Sequence, residues 1–140
     1  MKISLISIFT GGVLSFLMAV FHTQFFKIFN WKIAFDKIST GNKKVFYTIH
    51  IALLLIFLGF SFISFFYANE LSSCKGLALG VNIIISLFWL WRTIWQLVYF
   101  KPDKNNKFVL MHYILIGIFF LLFISYSIPI VWVLCKINKF

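Results

Sequence analysis

Four uninterrupted apolar runs, 3–26, 45–68, 77–100 and 108–134, divide the 140 residues of this chain. A hydrocarbon core of about 30 Å is crossed by roughly 20 consecutive apolar residues in a helix, and each run is longer than that. Lipid offers no hydrogen bonds to the backbone, so a span must satisfy its own groups as a helix or join a closed barrel. Runs of this length, lacking the ten-residue alternating segments of a barrel, predict helices. The expected fold class is all-α, an integral-membrane four-helix bundle. With 62% hydrophobic and 11% charged residues, the chain has too little polar surface to stay dispersed in water. The connections 27–44, 69–76 and 101–107 are too short for a further folded unit, so residues 1–140 read as one domain. The 20 Phe accompany many Ile, Lys and Asn, a combination that AT-rich coding produces without any stacking function.

The net charge of +10 is distributed along the runs rather than gathered into a patch for nucleic acid, and no nucleic-acid partner is expected. Lys27, Lys32, Lys37, Lys43 and Lys44 lie in the first connection, and Lys101, Lys104 and Lys107 in the third. Only Lys2, Lys75, Lys136 and Lys139 fall on the other side. The positive-inside rule then puts the first and third connections in the cytoplasm and both termini outside, an N-out/C-out topology. Met1-Lys2 before an apolar run resembles a signal peptide, but the run is too long for an h-region and no Ala-x-Ala-like site follows. We read it as a true span. Between the first two spans, Ile28, Trp31, Phe35 and Ile38 recur at helical spacing among lysines. This pattern predicts a short interfacial segment that ends near Ser39-Thr40-Gly41-Asn42 and holds Trp31 at headgroup level.

Within the spans, polar and small residues share faces. Gly11, Ser15, Ala19 and Thr23 form a shallow stripe on which another helix can pack, either within the bundle or from a second copy. Tyr47, His50, Leu54, Phe57, Ser61, Ser64 and Ala68 follow three- and four-residue steps, as do Asn82, Ser86, Trp89, Thr93 and Gln96. Both faces should point inward. Pro129 removes a backbone donor near Ser125, where the Ser125 and Ser127 hydroxyls stand ready to satisfy freed groups.

The most informative cluster is His22, His50, Arg92 and His112. At 1.5 Å per residue the three histidines lie about 7 to 9 Å along their helices from Lys27, Lys44 and Lys107, and Arg92 about 13 Å from Lys101. Ionisable groups at membrane depth are costly and mark functional sites. One reading is an anion site: Arg92, whose planar fork suits phosphate, acts with Gln96, Trp95 and the histidines on a lipid headgroup or small anion. The second is haem or a transition metal held by His22, His50 and His112, although no cofactor is required by any motif. A third, purely structural role has Arg92 bound to backbone carbonyls or Asp36. Asp36, Glu70 and Asp103 are the only carboxylates and give no paired acid–base centre, so no catalytic residue is assigned. Cys74 and Cys135 fall on one side and either pair in a disulfide or stay free.

Trp31, Asn42-Lys43-Lys44, His50, Gly59 and Phe88-Trp89-x-x-Arg92-x-x-x-Gln96 followed by Tyr99-Phe100 make residues 22–103 resemble a group of uncharacterised small bacterial four-span inner-membrane proteins. That resemblance implies a bacterial inner-membrane location and no reaction. Length and helix count are also similar to the membrane-associated eicosanoid and glutathione metabolism family, but that family's arginine-rich motif with a preceding glutamate is absent from the second span. The expected function is a non-enzymatic inner-membrane protein that binds a lipid or small anion at its cytoplasmic side. A haem- or metal-binding oxidoreductase or accessory protein is the alternative, and an immunity protein against a membrane-targeting toxin is a third reading. Expected partners are membrane lipids and either a second copy or another membrane protein.

Overall fold

Ser39 decides where the second span begins. Its backbone is extended (φ −58°, ψ 149°) and its hydroxyl accepts from the Asn42 N–H at 3.4 Å, the geometry of a serine N-cap. The helix therefore starts at Thr40, five residues before the apolar run. In the computed structural model, which describes residues 2–100, 102 and 108–137, the order is α1 (Lys2–Thr23), α2 (Phe25–Ile28), α3 (Trp31–Asp36), α4 (Thr40–Phe66), α5 (Ala68–Ser73), α6 (Leu77–Val98) and α7 (Val109–Ile137). No strand occurs among the described residues. Four helices, α1, α4, α6 and α7, are long and apolar enough to cross a membrane.

The connections hold more helix than expected. The segment after α1 breaks into α2 and α3 at Asn30, whose left-handed backbone (φ 51°) is one that asparagine tolerates. After α4 the chain turns at Tyr67 and continues as α5, which stops at left-handed Cys74 (φ 51°). Gly76 then turns with φ 52° and ψ −125° into α6, a backbone setting that glycine adopts without a Cβ penalty.

α1 packs against α4 on one side and α7 on the other, and α7 in turn packs against α6. Small residues allow this. A Cβ on Gly11 would sit 2.8 Å from the Tyr126 ring, and one on Gly12 2.8 Å from the Ser64 Cβ, so both neighbours approach the α1 backbone as the small-residue stripe requires. Gly11, Ser15 and Ala19 are buried as expected, joined by Ser4, Ser7, Gly12 and Met18, while Thr23 at the end of the stripe is exposed. Tyr126 Oη and Ser64 Oγ are 2.7 Å apart, with Ser15 Oγ at 3.4 Å, tying three helices together. Ser86 and Ser127 join α6 to α7 at 2.6 Å, and Asn82 Nδ2 donates to the Leu71 carbonyl of α5 at 2.8 Å.

The inward face predicted on α6 is realised in full: Asn82, Ser86, Trp89, Thr93 and Gln96 are all buried. On α4, His50, Phe57, Ser61 and Ser64 are buried but Tyr47 is exposed. α7 runs through Pro129 as one helix. Ser125 and Ser127 donate to the carbonyls of Leu121 and Phe123, both at 2.8 Å, rather than to groups freed at the proline.

Candidate functional site

α4 and α6 lack the close backbone approach of α1 with α4, α1 with α7 and α6 with α7 and meet through aromatic rings instead. Trp89 is fully buried and stacks on Phe57 at 5.3 Å, with Phe119 at 5.6 Å on α7, and Phe88 meets Phe57 and Phe60 edge-on. These large side chains hold the two helices apart. Toward the α2–α3 end the space is not filled, and a cavity of about 480 Å³ remains.

Five of the six residues expected to bind a ligand line that one cavity: His22 from α1, His50 from α4, Arg92 and Gln96 from α6, and His112 from α7. Trp95 does not. It lies on the flank of α6, stacked between Trp91 at 5.0 Å and Tyr99 at 4.7 Å. One residue short of Gln96, its side chain is carried about 100° around the helix from the cavity wall.

The rest of the wall is apolar and largely aromatic, including Phe25, Phe46, Leu53 and Phe119. Trp31, the aromatic residue of the short segment between the first two spans, packs onto protein. It is 9% exposed, lies edge-on to His50 at 4.9 Å and stacks on Phe35 at 5.3 Å, so α2 and α3 cover the mouth of the cavity. The spacing of Ile28, Trp31, Phe35 and Ile38 signalled a helical apolar face, but spacing alone does not say whether lipid or protein receives it. Phe119 could have been found in the sequence, because His112, Leu115, Phe119, Leu122 and Tyr126 follow three- and four-residue steps, and all five are buried.

Arg92 sits in this cavity, and among the described residues it has no counter-charge. Its guanidinium carbon lies 5.2 Å from the Phe119 ring centroid, a cation–π contact, and its buried Nε has no hydrogen-bond partner. No described acidic residue pairs with it: Asp36 and Glu70 are exposed on α3 and α5, and Asp103 lies outside the described residues. The Arg92–Asp36 pairing, one form of the structural alternative, is thus not formed. His22 Nε2 is also buried without a partner. A buried polar atom left unsatisfied costs about 1–3 kcal/mol, more when charged.

Two of the three histidines meet, as a stacked pair. His22 and His50 stack with ring centres 4.1 Å apart and planes 21° from parallel. That separation leaves no room between them for a porphyrin, which two axial imidazoles must flank. His112 Nδ1 is 3.1 Å from the Gln96 amide nitrogen; the amide can only donate, so this nitrogen is already engaged. Among the described residues no three His, Cys, Asp or Glu side chains are arranged to hold a metal ion.

The cysteines are far from this site in character and do not pair. Cys74 is a buried free thiol whose sulfur is 3.5 Å from Asn82 Nδ2, and Cys135 is a free, exposed thiol. The α5 turn holds Cys74 inward, where Asn82 engages it. Comparison with protein-family models, curated proteins and solved structures gives no match, so the geometry of the pocket is what bears on function.

Proposed function

We propose that this chain is a non-enzymatic multi-pass protein of a bacterial inner membrane that binds an amphiphilic anion, a phosphate or carboxylate head with an apolar body. Both termini face outward, and the pocket opens on the cytoplasmic side. That orientation rests on the eight lysines of the first and third connections, and α2 with α3 forms the interfacial cover of the pocket. The observation that carries the reading is Arg92, a cation at the inner wall of a largely apolar, aromatic-rich cavity with no described carboxylate beside it. An unpaired charge in such surroundings is costly, and an anion bound there removes that cost through paired, charge-assisted hydrogen bonds. His22 Nε2 supplies a second polar atom to the same guest, and the aromatic walls receive its apolar part.

The test is mass-spectrometric lipid analysis of the purified protein beside an Arg92→Gln variant. The wild type is expected to retain anionic lipid selectively, and the variant to lose that selectivity while keeping its thermal midpoint. Equal retention by both proteins would remove the anion site.

A further inference from the structure

A second hollow, of about 430 Å³, runs between α1 and α7. Leu14, Leu17 and Phe21 line it from α1, and Leu110, Ile114 and Ile118 from α7. It has no polar lining residue. Its rim lies on the outer face of the bundle, with Leu17 54% and Ile114 51% exposed, so between two membrane-spanning helices it opens sideways into hydrocarbon. A gap there forfeits dispersion contacts unless something apolar fills it.

Many membrane proteins have lipid-filled grooves; this one is set apart by what lies behind it. Met111 and Leu115, one turn apart on α7, line both this groove and the Arg92 cavity. They are a common wall one side chain thick. Met111 is unbranched, with three rotatable bonds, and adapts easily to a guest. The next turn of α7 carries Phe119, on whose ring the Arg92 guanidinium rests. An apolar channel facing lipid and a cationic chamber inside the bundle are therefore parted by Met111 and Leu115, in the order in which a lipid presents tail and head.

We propose that the ligand is an anionic phospholipid whose acyl chain lies in the α1–α7 groove and whose phosphate turns past Met111 into the cavity to reach Arg92. This rests on the anion site proposed above and adds to it the class of ligand and its route of access. A free phosphate would use the cavity alone and leave the groove indifferent.

The experiment compares binding of long-chain phosphatidylglycerol, a short-chain phosphatidylglycerol and inorganic phosphate to the full chain in non-ionic detergent. Wild type, Arg92→Gln and the double variant Leu17→Trp/Ile114→Trp are the three proteins. The exposed rim positions admit tryptophan without disturbing the core, and the added rings fill the groove. Wild type is expected to prefer the long chain by about tenfold or more, and the groove-filled variant to bind both lipids alike at the short-chain level. Arg92→Gln should lose both. If the groove-filled variant keeps the wild-type chain preference, the groove assignment falls and the anion site stands. If Arg92→Gln changes nothing, the anion site falls and takes the groove with it. Inorganic phosphate competing as well as the long-chain lipid would also overturn the assignment. Photocrosslinking of wild type with a phosphatidylglycerol carrying a reactive tail provides a test that needs no variant. Labels should concentrate on Leu17, Leu110 and Ile114, and an even spread over outward residues such as Leu55, Ile84 and Leu87 would sink the proposal.

Discussion

Around Gly11 and Gly12 the bundle closes until a single added carbon would collide with Tyr126 or Ser64, whereas around Arg92 it opens into about 480 Å³. The same four helices make both regions. In the closed region hydroxyls answer one another, Tyr126 with Ser64 and Ser86 with Ser127. Scattered neutral atoms there, Ser4 Oγ, Asn82 Oδ1 and Trp89 Nε1, lack partners, but none of their side chains lines the open cavity. In the open region the unpartnered atoms belong to a cation and an imidazole that line the same wall. The contrast separates what holds the bundle together from what it holds together for: small residues and neutral hydrogen bonds secure one region, and the other sets Arg92, with no described carboxylate beside it, on the wall of a cavity.

Changes at the closed region should be the most damaging. Gly12→Val puts branched carbons against the Ser64 Cβ, which belongs to a helix and cannot swing aside. A loss of about 3 kcal/mol is expected, visible as a large fall in thermal midpoint in detergent; a midpoint within error of wild type would mean that the α1–α4 contact is looser than described. Arg92→Leu should act in the opposite manner. Binding of anionic phospholipid is expected to weaken at least about tenfold, or ~1.4 kcal/mol, while the lipid-free protein becomes no less stable because an uncompensated charge has been removed. A fall in lipid-free stability would instead show that Arg92 holds the bundle together, and the contrast between regions would break.

Smaller effects sharpen the boundary. Tyr126→Phe removes the hydroxyl shared with Ser64 and Ser15, and interhelical hydrogen bonds in membranes average about 0.6 kcal/mol. A modest drop in midpoint with unchanged lipid retention is expected, and any loss of retention would tie the two regions together. Trp95→Leu should change binding least, by less than about 0.5 kcal/mol, since Trp95 stacks outside the cavity with Trp91 and Tyr99. A binding defect in that variant would restore Trp95 to the site.

Much of this arrangement can be read along the chain. The buried row Asn82, Ser86, Trp89, Thr93 and Gln96 is visible in α6 because five polar or amphipathic residues at helical steps, amid an apolar span, face protein rather than lipid. The shared level of His22, His50 and His112 follows from counting residues back to the flanking lysines. The residues that misled are those whose neighbours in sequence say nothing about their neighbours in space. The spacing around Trp31 shows an apolar helical face but not that its ring packs on His50 and Phe35. Trp95 adjoins Gln96, but one residue of helix turns it away. For Cys74 and Cys135 the sequence left pairing and free thiols open, and the structure has both free, Cys74 buried at the end of α5 and Cys135 exposed on α7.

By itself the sequence determined four apolar helices, the buried stripe of α6 and most of those of α1 and α4, because hydrocarbon imposes backbone self-satisfaction and penalises polar side chains one residue at a time. Tertiary structure alone decided that α1 lies between α4 and α7, that bulky rings hold α4 from α6, and that His22, His50, Arg92, Gln96 and His112 share one cavity. Those outcomes depend on ring volume and rotational position summed over several helices, quantities that no single helix contains.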